Sequence, residues 1–289
     1  MSVDQIEKIA NAILYEGYLL YPYRSTAVKN QQRFNFGVLY PRDYCEQASG
    51  SDAWEMQTEC LVRGSAATTL AIKVRFLQMV EREGRQEGLE HAVSTPVCGL
   101  LSLSKQPVHQ SYRSEPLEGE LELRASRVRD GLYRVTLQVR NTAALTDGPG
   151  REQVLLRSLV SVHSILEVTG GHFVSILDPP EEFRQAAESC RNIGCWPVLV
   201  GAEGETDRML ASPIILYDYP QIAPESSGDL FDGCEIDEIL ALRILTLTDE
   251  EKQEVRAGDE RARRILERTE TLPPEHFQKL HGAMRGLPK

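Results

Sequence analysis

The chain opens on a helical period and then changes to a period of two. Between Ser2 and Leu20, the residues Ile6, Ile9, Ala10, Ile13, Gly17 and Leu20 recur at the spacing of one helix face, and Ser2 with Gln5 has capping-box spacing. Pro22 ends this helix, and Tyr15, Tyr18, Tyr21 and Tyr23 make this end of it aromatic. From Arg33 apolar and polar residues alternate. Phe34, Phe36, Val38 and Tyr40 form one row. Trp54, Met56, Thr58, Cys60 and Val62 oppose Glu55, Gln57, Glu59 and Arg63, and Leu70, Ile72, Val74 and Phe76 oppose Lys73 and Arg75. Such alternation predicts antiparallel strands with one wet face.

Tyr133, Val135, Leu137 and Val139 continue the pattern and pair with the stretch from Gly119 to Arg127, whose inward residues are Leu121, Leu123 and Ala125. Parity fixes the register. A bare two-residue turn at Asp130-Gly131 sets Leu123 against Gln138. A three-residue loop, Arg129-Asp130-Gly131, pairs Leu123 with Leu137 and Leu121 with Val139, with Gly131 at a left-handed position. Val93 to Cys98, interrupted by Pro96, reads as an edge or irregular strand.

Beyond Gly150 the spacing turns helical. Leu155, Leu159, Val162 and Leu166 centre an apolar arc in a helix over 152–168, and Gly170-Gly171 has the character of a left-handed cap. A short strand from Phe173 to Leu177 leads to Asp178-Pro-Pro-Glu181, read as a helix start with Asp178 as N-cap. Two further strands fall at Pro197 to Val200 and Met209 to Tyr217. The rest is helical, from Glu235 to Leu245, after a capping box at Thr248-Asp-Glu-Glu251, after Asp259, and from Pro273. The whole reads as α+β. An N-terminal helix with an antiparallel β-sandwich-like unit fills residues 1–145. A mixed α/β segment with a helical C-terminal tail fills 146–289, and its three short strands can instead extend the first sheet into one continuous domain.

Composition narrows the class. Apolar residues at 41% and charged residues at 26% are ordinary globular usage. A net charge of −11 disfavours nucleic acid and anionic lipid, since both require a basic face. No apolar run approaches the roughly 20 residues of a membrane span, and the acidic N-terminus is unlike a secretory leader. A cytoplasmic protein is expected, with no membrane insertion. Its six cysteines are then reduced thiols.

The densest candidate chemistry is a run of acids, Asp218, Glu225, Asp229, Asp232, Glu235 and Asp237. Asp218, Asp229, Asp232 and Glu235 could supply oxygen ligands to a hard cation, but acids before a helix are also expected from its dipole. His163 lies in the apolar arc of its segment, where a neutral core histidine is the rule. Cys190 and Cys195, with four residues between them, lack redox-pair spacing; with Cys234 they are candidates for a soft metal. His276 and His281 are five apart, off the spacing of a zinc pair. Phosphate-loop and nucleophile-elbow motifs are absent, so no catalytic residue and no cofactor are predicted.

The runs Ile13-Leu-Tyr-Glu-Gly-Tyr-Leu-Leu-Tyr-Pro-Tyr-Arg24, Thr169-Gly-Gly-His-Phe-Val-Ser-Ile-Leu-Asp-Pro-Pro180, Ser212-Pro-Ile-Ile-Leu-Tyr-Asp218 and Glu235-Ile-Asp-Glu-Ile-Leu240 resemble an uncharacterised bacterial family encoded beside nickel–iron hydrogenase genes. The resemblance implies a non-catalytic accessory or assembly protein. Its partner would be a hydrogenase subunit or a maturation factor, with Tyr15, Tyr18, Tyr21 and Tyr23 as candidate docking residues. The alternative is a metal-binding protein or enzyme using the acids of 218–237.

Overall fold

A computed structural model of the chain describes residues 3–15, 36–47, 50, 52–82, 85–145, 150–221, 241–242, 244–257 and 260–273. Its centre is one strand, β1 (Glu55–Arg82), 28 residues long where two shorter ones were expected. Length lets it serve two sets of neighbours. Along one edge it pairs with β7 (Val160–Val174). Along the other it pairs first with β6 (Leu132–Asn141), then with β3 (Cys98–Gly99) and β2 (Arg85–Ser94). The hand-over falls at a break in register between Gly64 and Thr69. There Thr68 Oγ1 accepts from Ser65 N and donates to the Gly170 carbonyl. The backbones approach so closely that a Cβ on Gly171 would lie 2.7 Å from the Arg63 carbonyl oxygen.

Adding β4 (Val108–Ser114), β5 (Leu117–Arg129), β8 (Trp196–Leu199) and β9 (Arg208–Ser212) gives a nine-stranded antiparallel sheet. Its main path runs β4-β5-β6-β1-β7-β9-β8. The expected sandwich-like unit is one hydrogen-bonded sheet, because β1 belongs to both halves. The sheet also runs through residue 145, since β7, β8 and β9 extend it. It curls so that Tyr112 of β4, at one end of the path, meets Phe76 of β1 and His91 of β2. Val74, Phe76, Val93, Leu121, Leu123, Leu137, Val162 and Leu166 thus share one core.

The opposite face is covered in two places. Helix α1 (Val3–Tyr15) lays Ile6, Ile9 and Ile13 on Val198, Val200 and Leu210. A 3₁₀ turn (Glu181–Phe183) and a short helix (Arg184–Glu188) bring Phe183 and Ala187 onto Leu61, Leu132 and Val174. Asp178 does not cap this helix; its N–H donates to Ser175 Oγ, and the turn begins three residues later.

The hairpin register is as parity requires, Leu123 opposite Leu137 and Leu121 opposite Val139. The turn itself is tighter than expected: Arg129 pairs with Leu132, and the odd residue is absorbed by a bulge between Arg127 and Arg129. The helix expected over 152–168 is instead a short helix (Arg151–Leu155) followed by β7. Gly170 and Gly171 lie inside that strand and cap nothing. Both faces of β7 are buried from Val160 to Ser164, and a bulge near Ser161 (φ 55°) breaks the parity there. The expected strand through Phe36 and Tyr40 is reduced to bridges of Leu39 with Ala53 and Leu159.

Contacts divide the chain into two units, residues 1–14 with 36–220, and residues 15–35 with 221–289. The described part of the second is helical. Its helices Asp249–Arg256 and Glu260–Glu270 pack Val255, Ile265 and Leu266 together with Ile244. Thr248 and Glu251 make the predicted reciprocal capping box. The helix expected from Glu235, the Asp259 cap and the chain beyond Pro273, where the last helix was expected, lie outside the described residues.

Candidate functional site

Where the sheet curls, three polar side chains from three strands form a hydrogen-bonded row. Gln78 of β1, His91 of β2 and Tyr112 of β4 sit beside Phe76, with the His91 ring stacked on it and the Tyr112 ring edge-on to it. The His91 Nε2 to Gln78 Oε1 distance is 2.8 Å, and Tyr112 Oη to His91 Nδ1 is 2.7 Å. Gln78 fixes the proton positions. Its Nε2 donates to the Glu115 carbonyl, so its Oε1 faces His91 as an acceptor. His91 Nε2 therefore carries the hydrogen, Nδ1 presents a lone pair, and the Tyr112 hydroxyl donates to it. Burial lowers the His91 pKa, which keeps the ring neutral near pH 7. Burial pushes the Tyr112 phenol up, partly offset by its bond to the Ser114 hydroxyl. A phenol, a base 2.7 Å away and a group orienting that base are the parts needed to move a proton off an oxygen.

A second feature is the segment following β9. Ile214 and Leu216 point inward onto the α1 side of the sheet. Between and beyond them Ile215 and Tyr217 point out, 72% and 84% exposed. Both ends of the segment are clamped. Ser212 Oγ donates to the Ile214 carbonyl, and Tyr219 N donates to the Leu199 carbonyl. Asp218 completes the clamp, Oδ1 accepting from Leu199 N at 2.8 Å and Oδ2 from Ser175 Oγ at 2.6 Å. Asp218 is thus a strand bracket, with both carboxylate oxygens engaged by protein donors. Asp229, Asp232 and Glu235 lie outside the described residues.

The remaining candidates form no metal cluster among the described residues. Tyr15 ends α1 and is 3% exposed, while Tyr18, Tyr21 and Tyr23 lie outside the described residues. His163 is fully buried on β7, rather than on a helix, opposite Arg75. Its Nδ1 donates to the Ser161 carbonyl, and burial, with the Arg75 charge adding to it, holds its pKa down to about 4. It is the neutral core histidine expected. Cys60 and Cys195 are buried thiols, Cys195 pushed up to about 11 by burial; Cys190 is half-buried, and Cys234 lies outside the described residues. Among the described residues no three His, Cys, Asp or Glu side chains gather as a metal cluster. None of their helices is long and apolar enough to cross a membrane.

The row at Gln78, His91 and Tyr112 was missed in the sequence. One signal was available: the inward residues of β1 run Leu70, Ile72, Val74, Phe76 and then Gln78, a polar side chain on the core parity. Neither a family model nor a curated protein matches the chain.

Proposed function

We propose that the protein is a non-catalytic accessory protein that docks on a nickel–iron hydrogenase subunit or one of its maturation factors through the Ile215–Tyr217 segment. The observation that carries this reading is the pairing of high exposure with a rigid mount. Large apolar side chains this exposed are where protein partners gain most of their binding energy. Here the clamp by Asp218, Tyr219 and Ser212 removes much of the ordering penalty that a loose loop would incur. The resemblance supplies the partner's identity. Asp218, already committed to Leu199 and Ser175, speaks against the rival reading of a metal site built on it.

The test is affinity purification of the tagged full-length chain from its native host, beside an Ile215→Ser/Tyr217→Ala variant. Recovery of a hydrogenase subunit or maturation factor with the native chain, falling at least about tenfold with the variant, is the expected result. Absence of every hydrogenase component, together with normal hydrogenase activity in a deletion strain, overturns the reading.

A further inference from the structure

We propose that Tyr112 is a nucleophilic modification site, a phenol activated by His91 that accepts an acyl group from an activated acyl donor. Tyr112 and the docking segment share no residue, and failure of one proposal leaves the other untouched.

Three features of the row carry the inference. The tautomer is fixed: with Nε2–H held by Gln78 Oε1, His91 offers a lone pair to the phenol proton at 2.7 Å. Orientation is fixed as well. The imidazole stacks on Phe76, with centroids 5.6 Å apart and planes 28° from parallel, so the base cannot swing away. And Tyr112 is only half-buried, on a strand at the end of the sheet path.

The charges nearby select the donor. Burial alone accounts for the lowered His91 pKa, with no charged neighbour contributing. Among the described residues the groups in contact with the ring are Phe76 and Gln78 from β1, and Tyr112 from β4 with Ser114 just beyond, all of them neutral. Phosphoryl and nucleotidyl donors bring several negative charges that require cations or a metal at the transferring group. An acyl donor with a neutral leaving group makes no such demand.

The step balances as follows. The Tyr112 oxygen attacks the acyl carbon while its proton passes to His91 Nδ1, and the resulting imidazolium keeps its Nε2–H bond to Gln78. Collapse of the tetrahedral adduct breaks the bond to the leaving group. That group takes the proton back from His91, leaving O-acyl tyrosine and a neutral histidine. Because burial raises the phenol pKa, full ionisation before attack is disfavoured, and His91 acts as a general base during attack.

The full-length protein treated with N-acetylimidazole provides the test, each tyrosine being followed by peptide mass spectrometry between pH 6.5 and 9. Tyr217, 84% exposed, is the internal reference. An unassisted phenol reacts through its phenolate, so its rate climbs about tenfold per pH unit below a pKa near 10. Tyr112, served by a base already neutral at pH 7, is expected to react at a rate nearly independent of pH. The ratio of Tyr112 to Tyr217 acetylation then exceeds about ten at pH 7 and falls steadily as pH rises. His91→Phe is expected to lower the Tyr112 rate about 10²-fold at pH 7 and leave Tyr217 unchanged, in line with the loss of one general base. A Tyr112 rate that rises in parallel with Tyr217, or stays below it throughout, overturns the proposal on the unmutated protein alone.

Discussion

The Asp218 carboxylate lies 2.8 Å from the backbone nitrogen of Leu199, on the side of β8 that β9 leaves open. Pro197, two residues earlier in the same strand, has no N–H to offer. An edge strand exposing a row of donors invites pairing with other chains. Here proline removes one donor and a carboxylate occupies the next.

Removing that bracket has a predictable effect. Asp218→Ala leaves the Leu199 N–H and the Ser175 hydroxyl without their acceptor and is expected to lower stability by about 1–3 kcal/mol. Urea unfolding monitors the loss. If Asp218 were instead a metal ligand, magnesium or zinc would raise the melting temperature of the native protein. No such rise is expected.

Arg75 sets up a second prediction. Its side chain is 7% exposed, with Nη1 3.1 Å from Glu7 Oε2 and Nη2 2.7 Å from Asn11 Oδ1, both acceptors on α1. Burial alone would raise the Glu7 pKa, but the Lys73 hydrogen bond and the charges of Lys73 and Arg75 outweigh it and lower the pKa. Glu7→Ala leaves the buried guanidinium with one carboxylate, Glu90 at 3.5 Å, in place of two, and is expected to cost about 1–3 kcal/mol. Combining it with Arg75→Met restores most of that loss, because the penalty lies in the under-compensated charge. Chemical denaturation of the two variants decides the point.

Acid should destabilise the protein through His163. Its pKa falls from 6.5 to about 4 on folding, so the unfolded chain binds the proton more tightly. Stability is therefore full above pH 6.5 and declines as pH drops toward 4. At about 1.4 kcal/mol per pH unit the loss reaches about 3 kcal/mol. His91, also lowered, adds in the same direction. His163→Leu is expected to flatten the stability curve between pH 4 and 6.5, measured by urea midpoints across that range.

At the register break of β1, Gly171 admits no side chain. A Cβ there would meet the Arg63 carbonyl at 2.7 Å and Thr68 Cγ2 at 2.8 Å. Gly171→Ala must push two paired strands apart, with an expected loss of about 1–3 kcal/mol in thermal unfolding. Gly150→Ala, with nothing within 4 Å of the added atom, is the neutral comparison.

These sites differ in how plainly the sequence announces them. Strands β5 and β6 were legible to the register because apolar and polar side chains alternate along both, and because the outer face of β5 is wet. Strand β7 was not. Buried on both faces from Val160 to Ser164 and bulged near Ser161, it sets Ser161, His163 and Ser164 among its apolar residues, and a wheel can be drawn through it as easily as a pleat. The Thr248 capping box was legible because it closes within four residues. The row of Gln78, His91 and Tyr112 was not, since it needs three strands and a curl of the sheet to assemble. Asp218 stood out as an acid in an acidic run, but its role depends on Leu199 and Ser175, which only the tertiary fold brings to it.

The most direct measurement is a binding titration of the purified full-length chain against purified nickel–iron hydrogenase subunits and maturation proteins, in parallel with the Ile215→Ser/Tyr217→Ala variant. The account predicts saturable binding to one of them, weakened at least about tenfold in the variant while its unfolding curve stays unchanged. Equal binding by the two proteins, or binding to none of the candidates, contradicts it.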